Sequence, residues 1–289
     1  MKNNRLANII KFLAFLNTKK ESLYQEYKKS AELQELMQKS KVETVFQPIL
    51  SLEEGSTIGF EILNRPQSTK LFPTTEKFYE YVGKSNDVFM IERFLRNLSL
   101  ERFSDQVKSF QNDAEPLVFL NIQPQVLTDP TYRSGITLDL LAKYNLSPKQ
   151  IVLELTEKEA VTNYNQFERI IDHYRQQGFR IAVDDAGTGY NSLQTLIYIK
   201  PEFIKIDKSL IRSIEKHPEK QHLVELLFDF ALQSDTLIIA EGIETIHELK
   251  FLRKLGVHMG QGFALGKPNA ELINGELPPS NPVLRAQLA

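Results

Sequence analysis

The chain contains no cysteine, which excludes disulfides, thiolate nucleophiles and thiolate metal ligands. That absence fits a reducing compartment, and the cytoplasm is the expected location. An excess of one charge is also missing: 35 Lys and Arg stand against 37 Asp and Glu, for a formal net charge of −2. Nothing electrostatic therefore recommends a nucleic acid polymer or a membrane surface as partner, whereas a small anionic ligand held through metal ions stays compatible. Long apolar runs are absent too. The run from Ile9 to Leu16 contains Lys11 and falls well short of the ~20 apolar residues that span a bilayer. With no small-residue cleavage site after it, neither a membrane span nor a secretion signal is expected. The five histidines, at 173, 217, 222, 247 and 258, form no metal-like cluster.

What is present is enough for one large core. At 289 residues, 42% hydrophobic and 25% charged, the chain accommodates a barrel of parallel strands, which needs roughly 250 residues, together with an extension. Residues 1–40 carry apolar residues near helical spacing, including Leu6, Leu13, Leu23, Tyr27 and Leu36, with Lys19, Lys20, Glu21 and Glu26 on a solvated face. One or two helices are expected there, packed on the barrel or on a second subunit, or coupling to a protein partner. No Pro/Gly-rich linker precedes Val42, so attachment rather than a free tail is expected. The expected division is an N-terminal helical extension over 1–40, a barrel over 41–275 and an irregular tail over 276–289.

The most informative stretch is Arg180-Ile181-Ala182-Val183-Asp184-Asp185-Ala186-Gly187-Thr188-Gly189-Tyr190. Ile181 to Val183 read as a parallel strand covered on both faces, and two adjacent carboxylates then fall at its end. Neighbouring carboxylates at the rim of a core need water, hydrogen bonds or a cation to offset their repulsion, and a hard divalent cation does so best. Taken alone, the same residues also suit a helix cap from Asp185 or Thr188 after a glycine turn.

The other strand ends bear on that choice. Apolar, β-rich runs occur at 44–50, 57–63, 117–122, 151–155, 180–183, 203–206, 236–240 and 258–263. Toward their C-terminal ends stand Glu61, Asn121, Glu154 with Glu157, Asp184 with Asp185, Lys205 with Asp207, Glu241 and Gln261. In a barrel of parallel strands those ends converge on the face that carries the chemistry. All-oxygen donors of this kind select Mg²⁺ or Mn²⁺ over Zn²⁺. Between these runs, Phe89, Ile91, Phe94, Leu95 and Leu98, and likewise Leu223, Leu226, Leu227, Phe230 and Ala231, are expected to be barrel-facing helix stripes.

Glu61-Ile62-Leu63 with Arg65 resembles the signature of the EAL domains, which are cyclic di-GMP phosphodiesterases, with Ile in place of the middle Ala. The resemblance continues through Leu120-Asn121-Ile122, Glu154-Leu155-Thr156-Glu157 (ELTE), Asp184 to Tyr190 (DDFGTGY), Lys205-Ile206-Asp207 (KID), Ala240 to Thr245 (AEGVET) and Gln261-Gly262-Phe263 (QGY). It implies an α/β fold, a modified TIM-type (β/α)8 barrel with its first strand antiparallel. It also implies two ions, Mg²⁺ or Mn²⁺, one among Glu61, Asn121, Glu154 and Asp184, and a second shared by Asp184 with Asp185 and Glu241. Lys205 then sits beside the nucleophilic water, with Glu241 as the second choice for general base and Glu61 as a catalytic ligand. Gln47, Arg65 and Gln261 are expected to orient the substrate, and Glu157, Asn191 and Glu244 to support the loops. A homodimer is implied by analogy.

Two departures touch the central stretch. Ala186 stands where the family has Phe, and Asn191 where it has the Ser supported by the second Glu of ELTE, here Glu157. If nothing fills the space beside Ala186, a more mobile loop is expected. The competing reading is a catalytically weak or inactive receptor for the same nucleotide, or a protein-docking module. For Lys205, the competing reading is a structural pairing with Glu241 or Asp207.

Overall fold

The computed structural model describes residues 2–85, 87–110, 115–123, 135–156, 164–187 and 192–279. The chain folds into two compact units, one of Met1–Glu43 with Arg65–Tyr81 and one of Thr44–Asn64 with Val82–Ala289. In the smaller unit, helix α1 (Lys2–Leu36) runs unbroken, and α2 (Thr75–Val82) follows. The ring of Phe72 meets those of Phe78 and Tyr81 at 5.8 and 5.4 Å. Lys29 Nζ lies 5.5 Å above the Tyr81 ring, so α1 and α2 are joined by aromatic packing and a cation–π contact. Among the described residues, no helix is long and apolar enough to cross a membrane.

Eight strands close a barrel in sequence order: β1 (Val42–Ser51), β2 (Thr57–Pro66), β3 (Leu117–Asn121), β4 (Ile151–Thr156), β5 (Arg180–Ala186), β6 (Phe203–Ile206), β7 (Leu237–Ala240) and β8 (Met259–Gly260). β1 pairs with β8 antiparallel, and the pairs from β2–β3 to β7–β8 are parallel. The helices between them are α3 (Val88–Val107), α4 (Ile136–Tyr144), α5 (Tyr164–Gln176), α6 (Ser192–Ile199), α7 (Lys208–Ile211), α8 (Pro218–Gln233) and α9 (Ile246–Leu255).

The core divides by strand parity, as the period of 2 requires. Ile49, Phe119, Val152, Ala182, Phe203, Ile239 and Met259 form one cluster, the apolar layer inside the barrel. Their strand neighbours Val118, Leu120, Ile151, Leu153, Ile181, Val183, Ile204 and Ile238 belong to the larger cluster under the helices. A residue two places beyond an inner-layer residue points inward again. Asn121, Glu154, Asp184, Lys205, Glu241 and Gln261 all stand at that step, and on antiparallel β1 it falls at Gln47. Period-2 geometry thus stacks a polar layer directly on an apolar one.

Several expected boundaries move. The N-terminal segment contains one 35-residue helix, followed by a 3-10 turn at Lys39–Lys41. β5 runs three residues past Val183, carrying both aspartates through a register shift against β6. β8 is only two residues long, because at Gly262 the chain passes against the Ile243 backbone and leaves the sheet. On α8 the buried face is Val224, Leu227 and Ala231. Leu223 and Leu226, expected inward, are exposed; the true stripe steps by 3 and 4 from Val224.

Candidate active site

Lys205 is fully buried, the second inward residue of β6 after Phe203, and its Nζ is ringed by carboxylates. Glu154 Oε1 and Glu241 Oε1 lie at 2.7 Å, and Glu61 Oε2 and Asp184 Oδ1 at 3.4 Å. Each carboxylate comes from a different strand or strand end, and only barrel closure unites them. Asp207, the other partner considered for Lys205, instead caps α7, accepting from Ser209 N at 2.8 Å.

Two amides hold Glu61 in place. Asn121 Nδ2 donates to its Oε1 at 3.2 Å and Gln261 Nε2 to its Oε2 at 2.7 Å. Gln261 Nε2 also reaches Gln47 Oε1 at 3.1 Å, and Gln47 Nε2 donates to Gly266 O at 3.2 Å. Both glutamines are buried, and the donors of each serve the protein. Sequence reading placed these two with the substrate; in the structure Gln261 bonds to Glu61 and to Gln47, and Gln47 bonds to Gln261 and Gly266.

The ring's charge is uneven. Four carboxylates face one ammonium, and burial works to lower the Lys205 pKa, but Asp184, Glu154, Glu241 and Glu61 together hold it well above its ordinary value. Burial pushes Glu154 up well above the usual carboxylate range, and neighbouring Glu61 and Asp184 add to the rise against the pull of Lys205. It pushes Glu241 up to about 8 by the same balance. Burial also acts to raise Glu61, yet Lys205, Gln261 and Asn121 outweigh it and keep that carboxyl below its ordinary value. Both oxygens of Glu154 are buried with no directed hydrogen bond among the described residues, so the 2.7 Å approach of Lys205 is one of charge rather than of an aligned bond.

A second cluster adjoins the ring. Ligand oxygens of Asp184, Asp185 and Glu241 all lie within 4.8 Å of one another. Asp185 adopts φ +57°, a left-handed conformation that Asp tolerates better than most L-residues, and its N–H donates to Asp184 Oδ1 at 3.0 Å. Buried carboxylates in excess of the available ammonium, some retaining protons and one lacking directed donors, suit hard divalent cations, whose binding displaces such protons. The donor set therefore fits an oxygen-ligated metal.

Arg65 is exposed near the end of β2 and falls in the smaller compact unit. Glu244, exposed, pairs with Arg212. Glu157 and Asn191 lie outside the described residues, as do Thr188, Gly189 and Tyr190. Ala186 is fully buried within the core, and Leu210 lies against Gly187, the residue after it. Sequence reading missed Glu248, a buried carboxylate that accepts from Ser213 N at 2.8 Å and from Glu244 N and Thr245 N at 2.9 Å. Its signal was the Thr-x-x-Glu capping box after the AEGVET-like motif.

A family model described as EAL domain matches residues 30–268. The probable cyclic di-GMP phosphodiesterase PdeB of Escherichia coli (strain K12) is 31% identical over 239 residues, covering 81% of this chain and 44% of that protein. The chain spans less than half the length of the first curated relatives it matches. Among solved structures, EAL enzyme Bd1971 in its cAMP and cyclic di-GMP bound form is 26% identical with a TM-score of 0.76, covering 90% of this chain and 73% of that one. Klebsiella pneumoniae BlrP1, solved with cyclic di-GMP and calcium or manganese, shares the fold at 24% identity and TM-score 0.72, covering 82% of this chain and 58% of its own. With four-fifths of its length under one family model and the family's motifs gathered at one end of the barrel, this chain belongs to the EAL domain family.

Proposed function

We propose that this chain is a metal-dependent phosphodiesterase that opens cyclic di-GMP to linear pGpG. The observation that carries the reading is the buried Lys205 ringed at 2.7–3.4 Å by Glu61, Glu154, Asp184 and Glu241, beside the Asp184–Asp185–Glu241 cluster. Mg²⁺ or Mn²⁺ fits these donors, one ion with Glu61, Asn121, Glu154 and Asp184 and a second with Asp184, Asp185 and Glu241. When bound, such a pair polarises the phosphate and makes water nucleophilic near neutral pH. Water oxygen bonds to phosphorus as the P–O3′ bond breaks; the proton the water gives up passes by way of Glu241 to O3′, and the phosphate stays on the 5′ oxygen.

The protein's own groups prepare that exchange. Lys205, with Gln261 and Asn121, keeps Glu61 ionised, and the two amides fix its orientation. Glu241, beside Lys205 and the Asp184–Asp185 pair, accepts the water proton at a carboxylate oxygen. Lys205 Nζ keeps its proton throughout and offsets the charge that gathers on the phosphate oxygens. Arg65 offers a planar fork for a phosphate and, with Gln47 and Gln261 at the wall of the ring, orients the substrate, while Glu157, Asn191 and Glu244 serve as loop supports. The same reading takes 41–275 as the catalytic domain, the cytoplasm as its compartment and a homodimer as its assembly.

Incubation with cyclic di-GMP and Mg²⁺ or Mn²⁺, with nucleotides separated chromatographically, tests it. Conversion to pGpG that is lost in Lys205→Ala supports the enzyme. Binding without turnover makes the chain a receptor and overturns the proposal.

A further inference from the structure

Glu241 N donates to Ile206 O at 3.1 Å, and beyond that last bond between β6 and β7 the distance between Lys205 and Glu241 also depends on how the segment after β6 sits against the loop after β7. Each element has its own support, since Asp207 caps α7 and Thr245 caps α9 through Glu248 N at 3.2 Å. Those caps say nothing of how the two segments are held to each other. At one end the chain does it by contact: a Cβ on Gly242, which has φ +65°, would lie 2.4 Å from Lys208 Cβ. The residue beside Glu241 is thus pressed onto the start of α7, three residues beyond Lys205.

At the other end two carboxylates make the connection: the exposed Glu244 pairs with Arg212, and the buried Glu248 reaches the backbone of the segment after β6. Glu248 is 1% exposed; its Oε2 accepts from Glu244 N and Thr245 N, both at 2.9 Å, and its Oε1 from Ser213 N at 2.8 Å. Ser213 has φ +55°, a left-handed conformation that costs an L-residue free energy unless its surroundings impose it. The bond to Glu248 turns that N–H across to the β7 loop. A capping box needs only the first kind of bond, so the reach to Ser213 exceeds what α9 requires. Three backbone donors hold the carboxyl ionised, below its ordinary value despite burial, which makes each a charge-assisted bond.

We infer that Glu248 is a positioning residue for the active site, clamping the segment after β6 to the loop after β7 so that Glu241 is held against Lys205 and Asp184. This rests on the proposed phosphodiesterase reading for its meaning in catalysis, but its primary readout does not. The test is Mn²⁺ affinity of the substrate-free full chain by calorimetry, compared among wild type, Glu248→Ala, Glu248→Gln and Thr245→Ala at a temperature where circular dichroism shows each folded. Thr245→Ala removes the side-chain cap of α9 and leaves the link to Ser213.

Outer supports of metal ligands typically contribute 10–100-fold in affinity. Glu248→Ala is expected to weaken Mn²⁺ binding about tenfold or more, Glu248→Gln by less, because its amide retains one acceptor oxygen, and Thr245→Ala by under twofold. With cyclic di-GMP, kcat falls in the same order while KM changes by less than about threefold. Unchanged Mn²⁺ affinity in Glu248→Gln and Glu248→Ala, or an equal loss in Thr245→Ala, overturns the clamp. If Glu248→Ala does not fold, the Glu248→Gln and Thr245→Ala comparison decides alone. A wild type that binds Mn²⁺ without turning over cyclic di-GMP removes the phosphodiesterase reading and leaves this test intact.

Discussion

Glu241 and Lys205 show how burial and charge set one another at the scale of a residue. In chelator-treated protein the folded state holds protons on Glu241 up to about pH 8 and on Glu154 well above its ordinary value, whereas the unfolded chain releases them near 4.5. The folded state therefore binds more protons between those values, and stability falls as pH rises through that window. His258, held below 6.5 by burial, opposes this only below 6.5; Glu61 and Glu248, both lowered, act below 4.5. Urea midpoints are thus expected to decline from pH 6.5 to about 8, and Glu241→Gln flattens the decline; a flat wild-type profile contradicts it. Lys205→Met leaves the carboxylates without their ammonium and is expected to cost about 3–5 kcal/mol at pH 8. The loss shrinks at pH 6, where the ring takes up protons, and urea unfolding at the two pH values measures the difference.

Among the elements, the segments after β6, β7 and β8 decide whether the inward residues meet. Gly262 illustrates the tolerance: a Cβ there would stand 2.2 Å from Ile243 N and O, so Gly262→Ala must displace Gln261 from Glu61 or push the β7 loop. A destabilisation of about 1–3 kcal/mol is expected, with activity falling further than stability explains; denaturation and turnover on one preparation separate the two. Thr245→Ala, which removes one cap bond, costs about 1 kcal/mol and leaves activity near that of the wild type. The strand cores were legible in the sequence because β-branched runs such as Ile151 to Leu155 announce themselves. The short β8 was not, since the approach of Gly262 to Ile243 is a contact between residues far apart in sequence. Nor was the α8 stripe, where Leu223 and Leu226 are as apolar as the buried residues and only packing tells them apart. Glu61, Glu154, Asp184 and Lys205 could be chosen from strand-end position and family motifs; that Gln261 spends its amide on Glu61 and Gln47, and Gln47 its own on Gly266, is a matter of side-chain orientation, which sequence does not carry.

On the scale of the whole molecule, a closed barrel makes the site a property of all eight strands. β8 meets β1 through two register pairs only, Leu50 with Gly260 and Ser51 with Met259. Closure there is reinforced by the chain that follows, through the Phe46–Asn269 bridge, whose two backbone bonds measure 2.7 and 3.0 Å. Gln106 on α3 holds that strap at both ends of its amide, donating to Ala270 O and accepting from Leu272 N. In Gln106→Ala, hydrogen exchange is expected to quicken at Phe46, Asn269 and Leu272 while β3–β6 stay protected; uniform quickening refutes a local seam. Attack of water on phosphorus at the Lys205 ring, with expulsion of O3′, is the central claim. Turnover of cyclic di-GMP in ¹⁸O-water with Mn²⁺, read by mass spectrometry, tests this most directly. One ¹⁸O in the 5′-phosphate of pGpG, with no product from Glu61→Ala, is the predicted result; label in the 3′-hydroxyl, or no pGpG from the wild type, contradicts it.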